Sequence, residues 1–328
     1  MTVDPTLATE TKTSKWKVYF NIALTIALIG VFAWQLHKDW SDITAYDWRH
    51  NFQPQLAALA LLLLLVCSWL DILIWNRTLG WFDRELPFVK VAPVYIWSYL
   101  ARYIPGKVAS LLLRVALARE VERAPAPVLA ASAAELALRS ASAMLIFLAA
   151  LLGWGIPISH VAVIMMCIII PVILLAAHPR LMLPAMNWVL RKMKKPLITR
   201  TLLYREVLGV IGALVIRWIV FGISFALLAW SVFPAALYHI PVLAGTAAGS
   251  WTVGFASMLP GGFGVMELMQ KVILEGTLKF PTEVALVIPV FSRLWTLIAE
   301  GLWALVAVFL WRTAKISDQV PLPMTVKE

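Results

Sequence analysis

The chain has 328 residues, of which 61% are hydrophobic and 14% are charged, and its mean hydropathy is +0.83. Soluble domains are about 45–50% apolar and about 25% charged, so this composition excludes an ordinary soluble domain and also intrinsic disorder. Because a helix of roughly 20 apolar residues crosses a bilayer, we expect an all-α integral membrane protein, a polytopic helical bundle. The formal net charge of +10 then indicates basic cytoplasmic loops facing anionic lipid, and no nucleic acid partner.

Residues that usually carry catalysis or bind metal are sparse and scattered. Cys67 and Cys167 each lie within an apolar run, and the five histidines show no metal-ligand spacing. This pattern predicts neither a disulfide framework nor a metal site. No combination of Ser, His and Asp stands out as a nucleophilic triad. We therefore expect no cofactor and no enzymatic activity.

Apolar runs predict six spanning helices between two polar tails. A cytoplasmic tail at 1–17 precedes a first span that is too long for a signal peptide. We expect the transmembrane domain at 18–311 and a second cytoplasmic tail at 312–328. A loop at 180–205 with seven Lys or Arg residues predicts an interfacial amphipathic helix on the cytoplasmic side. The predicted spans are 18–36, 52–75, 126–152, the run after the Gly/Pro-rich turn at 153–157, 207–230 and 284–311.

Two further apolar segments, at about 88–120 and 241–279, are interrupted near their middles by proline and glycine. Proline removes a backbone donor and glycine permits a tight reversal, so each break should end one helix and begin another. Broken backbone at membrane depth is tolerated only where protein or a watery cavity covers it. We expect two re-entrant helical hairpins whose tips meet; the alternative is a proline kink in each of two continuous helices. The predicted break residues are Pro105, Gly106, Pro260, Gly261, Gly262 and Gly264.

The distribution of basic residues supports two hairpins that enter from opposite faces. In that topology 19 of the 28 Lys and Arg residues lie on the cytoplasmic side and four on the other, as the positive-inside rule requires. Both termini are then cytoplasmic in a cell inner (plasma) membrane. The spacings also match, since Pro105 precedes Arg139 by 34 residues and Pro260 precedes Arg293 by 33. Matched Gly/Pro-interrupted segments are typical of transporters built from an inverted repeat.

Charged residues within the apolar segments are the candidate binding residues. Seven cations, which include Lys271, stand against the carboxylates of Asp71, Glu135, Glu267 and Glu300. A charge at the bilayer centre costs about 2.5–3.5 kcal/mol on insertion scales, so such groups face the protein interior and usually pair. Roughly three cations remain in excess, which predicts a bound anion such as phosphate; neutral internal pairs such as Glu135 with Arg139 are the alternative for single residues. The predicted substrate-binding residues are Arg102, Lys107, Arg114, Glu135, Arg139, Arg217, Glu267 and Arg293.

Two motifs carry a family resemblance. They are Arg102-Tyr103-Ile104-Pro105-Gly106, followed by Arg114 and Glu135, and Leu259-Pro260-Gly261-Gly262-Phe263-Gly264-Val265-Met266-Glu267. Over roughly residues 15–315 the chain resembles the transmembrane flippase region of the lysylphosphatidylglycerol synthases, in a stand-alone form. The resemblance implies two re-entrant hairpins, movement of a phospholipid or another lipid between leaflets, and functional positions at these motif residues and at Arg293. We expect no synthesis of lysyl lipid, because only about 17 residues follow the last predicted span.

Together these features predict a flippase- or scramblase-like transporter whose partner is an anionic phospholipid or a related lipid. A transporter of a polyprenyl phosphate or of a lipid-linked sugar would need a similar pocket. A non-transporting membrane scaffold for a glycosyltransferase or a lipid-modifying enzyme is the other alternative. The sequence leaves open which lipid is moved, and whether several copies assemble as a homo-oligomer.

Overall fold

The structure is a computed structural model that describes most of the predicted membrane domain. Several predictions fall outside the described residues, namely the tail at 1–17, the span at 18–36, most of 153–176, and Pro105, Gly106 and Lys107. The described residues are 37, 52–103, 109–152, 171–172, 175, 177–192, 197–198, 201–257 and 259–319.

The described part of the chain is helical and contains no β-strand, as the all-α prediction requires. Short 3-10 turns at Ala101–Tyr103, Pro234–His239 and Pro260–Gly262 connect some of the helices. The α-helices are α1 (Pro54–Leu79), α2 (Phe88–Leu100), α3 (Ala109–Arg119), α4 (Pro125–Leu152), α5 (Pro179–Lys192), α6 (Tyr204–Val232), α7 (Ile240–Ala256), α8 (Val265–Gly276) and α9 (Thr282–Gln319).

Four of these helices are long and apolar enough to cross a membrane: α1, α4, α6 and α9. This finding confirms the prediction of a helical membrane protein. Three of the four lie within a few residues of their predicted bounds. Helix α9 instead continues to Gln319, past the predicted end of its span at residue 311. Residues 312–319 contain no Pro or Gly, so the backbone has no local reason to leave the helix there.

Four shorter helices form two consecutive pairs. The first pair is α2 and α3, with 13 and 11 residues, and the second is α7 and α8, with 17 and 12. Each is shorter than the roughly 20 residues that a helix needs to cross a bilayer alone. In the second pair Gly254 packs on Met266, and Gln270 bonds to Ser250. From one contact to the next, the residue number falls along α7 and rises along α8, so the two helices are antiparallel.

The bundle is held together by close contacts between small residues and by buried hydrogen bonds. A Cβ atom at Gly222 of α6 would lie 2.5 Å from that of Ala244 in α7, so these helices meet almost backbone to backbone. The Ser224 hydroxyl donates to the Ala60 carbonyl at 2.7 Å, and the Trp295 indole donates to the Ala57 carbonyl at 2.7 Å. Such small-residue packing is the usual means of association where lipid removes the hydrophobic driving force. Helices α6 and α9 are thereby fixed against α1, and α7 is fixed against α6.

Helix α5 lies within the predicted basic loop and is amphipathic. Its Leu183 and Met186 pack against a buried cluster of the bundle, whereas Leu181 and Trp188 are each 57% exposed. The Lys192 ammonium lies 3.9 Å from the centre of the Trp188 ring. An exposed tryptophan beside a lysine is typical of a helix that lies at a membrane surface.

Candidate functional site

A cavity of about 350 Å³ lies at the centre of the described bundle. It is bordered by every described α-helix except α5, and by the connections inside both helical pairs. We name residues 101–108 the first linker and residues 257–264 the second linker. The wall includes the guanidinium groups of Arg102, Arg114, Arg139, Arg217 and Arg293 together with the carboxylates of Glu135 and Glu267.

Three of these arginines form a continuous buried ion network with two carboxylates. Arg139 is its centre, since one of its Nη atoms lies 2.6 Å from Glu135 Oε1 and 2.8 Å from Asp71 Oδ1. Arg114 contacts the other oxygen of Glu135 at 3.5 Å, and Arg217 contacts Asp71 at 3.0 Å. All five residues are at most 6% exposed. The order Arg114–Glu135–Arg139–Asp71–Arg217 joins α3, α4, α1 and α6.

The first helical pair orients this network through neutral groups. Arg139 donates to the Tyr95 hydroxyl at 2.9 Å, and Arg114 donates through Nε to the Ser98 hydroxyl, also at 2.9 Å. The Arg114 guanidinium also lies over the Tyr95 ring, 4.5 Å from its centre. Because guanidinium groups are planar, these contacts fix the direction in which each one presents its remaining N–H groups.

The two linkers meet each other and are both attached to α9. Tyr103 of the first linker packs against Phe263 of the second, with ring centres 5.6 Å apart. Arg102 and Tyr103 both hydrogen-bond to Glu300, the tyrosine at 2.8 Å. Arg293 contacts Glu267 at 2.6 Å and donates to the Gly261 carbonyl at 3.3 Å.

The second linker depends on glycine at its turn. Gly261, Gly262 and Gly264 all have positive φ, a conformation that side chains with a Cβ disfavour. A Cβ atom at Gly261 would also lie only 2.6 Å from the Tyr103 ring. The close approach of the two linkers therefore requires glycine at position 261.

The charge balance differs from the sequence-based expectation. Lys271 lies 3.0 Å from Glu275 and is not part of the cavity wall. Glu275 also accepts a hydrogen bond from Thr282 at 2.9 Å, so this carboxylate is held in place as the partner of the lysine. Lys107 lies outside the described residues. Lys271 therefore does not belong to the expected surplus of roughly three cations. In the described part of the site five arginines face four carboxylates, a formal excess of one.

Arginines nevertheless outnumber carboxylates in the wall of the cavity, by five to two. Asp71 and Glu300, which contact three of them, border a separate smaller cavity and lie behind the main wall. The Nη1 atom of Arg217 and the Nε atom of Arg102 have no hydrogen-bond partner among the described residues. Two arginines of the cavity wall thus each keep a nitrogen donor that no described residue accepts from.

The remaining wall is largely apolar and aromatic. It includes Leu111, Phe221, Phe225 and Leu228, and Trp251, whose ring stacks on Phe255 with centres 5.4 Å apart. A cavity with buried guanidinium groups and an apolar remainder suits an anionic amphiphile, since few polar groups fix orientation while apolar walls supply contact area.

The cavity brings together most of the residues predicted from the sequence. Seven of the eight predicted substrate-binding residues line it, and the eighth is Lys107. Of the predicted break residues, Gly261 and Gly262 line it, while Pro260 and Gly264 lie in the second linker.

Sequence reasoning missed several uncharged polar residues in and beside the wall. Tyr95 and Tyr99 line the cavity, as do Gln270 and Ser292. Gln270 within a predicted membrane hairpin was an available signal, because an amide without water must find hydrogen-bond partners. Within the described residues, His, Cys, Asp and Glu form no group that could hold a metal ion.

No family model matches the chain, and no curated protein matches it.

Proposed function

We propose that this chain is a flippase- or scramblase-like transporter that moves an anionic phospholipid or a related lipid between membrane leaflets. The observation that carries the proposal is the central cavity, whose wall combines five guanidinium groups with aromatic and aliphatic side chains. Its volume of about 350 Å³ lies within the usual range of small-molecule sites, about 300–1,000 Å³. It suits a lipid headgroup, while the acyl chains stay among the helices and in the bilayer.

In this proposal the two helical pairs are re-entrant hairpins. They enter from opposite faces, are related as an inverted repeat, and meet at their linkers within the bilayer. Both termini and the basic loop are cytoplasmic, in a cell inner membrane. The short lengths of α2, α3, α7 and α8 support this placement, as does the contact between Tyr103 and Phe263. Non-helical backbone at membrane depth is tolerated where it borders a cavity.

The arginines of the ion network have separate roles in binding a phosphate. Arg114 and Arg217 stand at the two ends of the network, and each contacts one carboxylate. Their remaining N–H groups can bind a phosphate while Glu135 and Asp71 keep their contacts with Arg139. A guanidinium binds a phosphate through paired N–H groups. Arg139, between the two carboxylates, keeps the network in place while the headgroup enters and leaves.

The test is transport by the purified chain in liposomes that contain fluorescently labelled phosphatidylglycerol. We expect lipid movement above that of empty liposomes, and a drop of at least tenfold for Arg114→Gln and Arg217→Gln, since a charged hydrogen bond contributes roughly 1.5–3 kcal/mol. These variants remove a cation without leaving a carboxylate unpaired. The matched control is Arg77→Gln, because Arg77 pairs with Glu85 on the exposed surface. Transport equal to that of empty liposomes for labelled phosphatidylglycerol and other anionic lipids would contradict the proposal.

The same experiment separates the proposal from its alternatives. A scaffold for a partner enzyme moves no lipid, and its cellular function survives Arg114→Gln while changes in α5 abolish it. A transporter of a polyprenyl phosphate moves that phosphomonoester in preference to labelled phosphatidylglycerol.

A further inference from the structure

One wall of the cavity is polar without adding net charge. Gln270 of α8 and Ser292 and Thr296 of α9 line it, and Ser250 of α7 is fully buried behind Gln270. Gln270 itself is only 5% exposed. Polar side chains in a membrane bundle are costly and are retained where they bind a partner or a ligand. These residues play no part in the ion network described above.

Gln270 has more hydrogen-bonding capacity than the described protein uses. Its amide nitrogen donates to Ser250 Oγ at 3.3 Å, which uses one of two N–H groups. Ser292 Oγ lies 3.2 Å from the amide oxygen of Gln270 and 2.8 Å from the Pro289 carbonyl. A hydroxyl has one proton and donates it once, and the Pro289 carbonyl is the closer acceptor. One N–H and at least one lone pair of the Gln270 amide are therefore open to a ligand.

Glu267 adds an open acceptor one helical turn away. Its Oε1 accepts from Arg293 at 2.6 Å, while its Oε2 is buried and has no hydrogen-bond partner among the described residues. Because Arg293 neutralises this carboxylate, the open oxygen attracts a hydrogen-bond donor without demanding a cation. A buried acceptor that stays unpaired costs about 1–3 kcal/mol, so a ligand that supplies a donor relieves that cost.

An unused donor and unused acceptors on one wall define the chemistry of their ligand. A phosphate at neutral pH mainly accepts hydrogen bonds, and an ammonium group only donates them. A hydroxyl does both. We propose that Gln270, with Glu267 and Ser292, forms a subsite that recognises hydroxyl groups on the headgroup of the lipid. The inference rests on the proposed function, and it narrows the substrate to phosphodiester lipids whose headgroup carries a polyol or a sugar.

The test compares two lipids that differ only in hydroxyl groups. Phosphatidylglycerol and phosphatidylpropanol with the same acyl chains have the same phosphodiester charge, and the second lacks both hydroxyls. Dissociation constants are measured for the purified full chain in detergent. We expect phosphatidylglycerol to bind about tenfold more tightly, the effect of two hydrogen bonds of ordinary net strength. Phosphatidylinositol is the third probe, because its ring of hydroxyls distinguishes a sugar-like headgroup from glycerol. The subsite is supported if phosphatidylglycerol or phosphatidylinositol binds most tightly of the three lipids.

Substitutions then test whether the polar wall residues cause the preference for phosphatidylglycerol over phosphatidylpropanol. Gln270→Met keeps the length of the side chain and removes its amide, and Ser292→Ala removes one hydroxyl. Each should bring the ratio of the two dissociation constants toward one. The matched control is Ser231→Ala in α6, which removes a buried hydroxyl that bonds to Leu228 and does not line the cavity. Thermal unfolding shows whether each variant is folded. If Gln270→Met does not fold, Ser292→Ala alone provides the test.

The outcomes distinguish this inference from the proposed function. Equal and measurable binding of phosphatidylglycerol and phosphatidylpropanol overturns the hydroxyl subsite and leaves the anionic lipid site standing. The subsite is also overturned if folded Gln270→Met and Ser292→Ala keep the full preference. Binding of none of the three lipids overturns the proposed function, and the subsite with it.

Discussion

At the residue scale, Arg139 is the central charge of the site. It is 3% exposed and contacts both Glu135 and Asp71, as well as the Tyr95 hydroxyl. Arg114, by contrast, has one carboxylate contact, at 3.5 Å. Loss of a central cation removes hydrogen bonds from several buried groups at once, whereas loss of a terminal one affects a single carboxylate that keeps another partner.

We therefore predict unequal effects of the same substitution at the two positions. Arg139→Met should lower the free energy of unfolding by about 3–5 kcal/mol, the usual effect of breaking a buried ion pair. Arg114→Met should lower it by less than half as much. Chemical denaturation in detergent measures both. Equal losses for the two variants would show that Arg139 is not the centre of the network.

Gly261 is the residue on which the contact between the linkers depends. Its φ of +57° costs about 1–2 kcal/mol for a residue with a Cβ, and that Cβ would meet the Tyr103 ring. We predict that Gly261→Ala lowers the melting temperature and slows lipid transport. Gly209→Ala is the control, because Gly209 lies in α6 with open space around it and alanine favours the helix. A melting temperature for Gly261→Ala equal to that of Gly209→Ala would contradict this account of the linker.

At the element scale, α9 connects the two helical pairs. Arg293 contacts α8 and the second linker, and Glu300, two turns further along the same face, contacts the first linker. Because residues seven apart lie on one side of a helix, a single surface of α9 holds both linkers. Movement of one linker relative to α9 is thereby opposed by one ion pair and its hydrogen bonds.

We predict that Glu300→Gln loosens the first linker. The substitution removes the charge that Arg102 binds, so water should reach the cavity more often. The measurement is the rate at which a water-soluble maleimide labels Ser110→Cys, a position in the cavity wall, in a chain whose Cys67 and Cys167 are replaced by Ala. The rate should rise several-fold with Glu300→Gln and stay constant with Glu283→Gln in the first turn of the same helix. An unchanged rate with Glu300→Gln would mean that this contact does not close the cavity.

Helix ends and local pairs could be predicted from the sequence, whereas long-range pairing could not. Pro260, which two glycines follow, marks a break that the structure contains, whereas Pro289 without a following glycine lies inside α9. Glu135 and Arg139 are four residues apart, so their contact follows from helical periodicity. Asp71 and Arg217 are 146 residues apart, and their pairing depends on how α1 packs on α6. The expected cation surplus was too large for a different reason, because Lys271 was counted without its partner Glu275 four residues along the same helix.

At the scale of the whole molecule, apolar helices surround a charged and polar centre. The large exposed side chains include Leu62 of α1, Ile216 of α6 and Phe309 of α9, each more than half exposed. The buried charges converge on the central cavity. This inside-out distribution is expected of a protein whose surroundings are lipid and whose binding site lies within the bundle.

The proposed topology makes a prediction about sidedness. If the two helical pairs enter from opposite faces, Glu120 after α3 and Lys279 after α8 lie on opposite sides of the membrane. In a background without native cysteines, Glu120→Cys should react with an impermeant thiol reagent from the cytoplasmic side and Lys279→Cys from the other. The measurement uses membrane vesicles of both orientations. Reaction of both positions from the same side would contradict the inverted arrangement.

The most direct test of the anionic lipid site is a density map of the protein in nanodiscs made of phosphatidylglycerol. The proposal predicts a headgroup inside the central cavity, with its phosphate within hydrogen-bonding distance of Arg114 or Arg217 and its chains leaving between the helices. A map in which water alone fills the cavity, with lipid headgroups only around the outer surface, would contradict it.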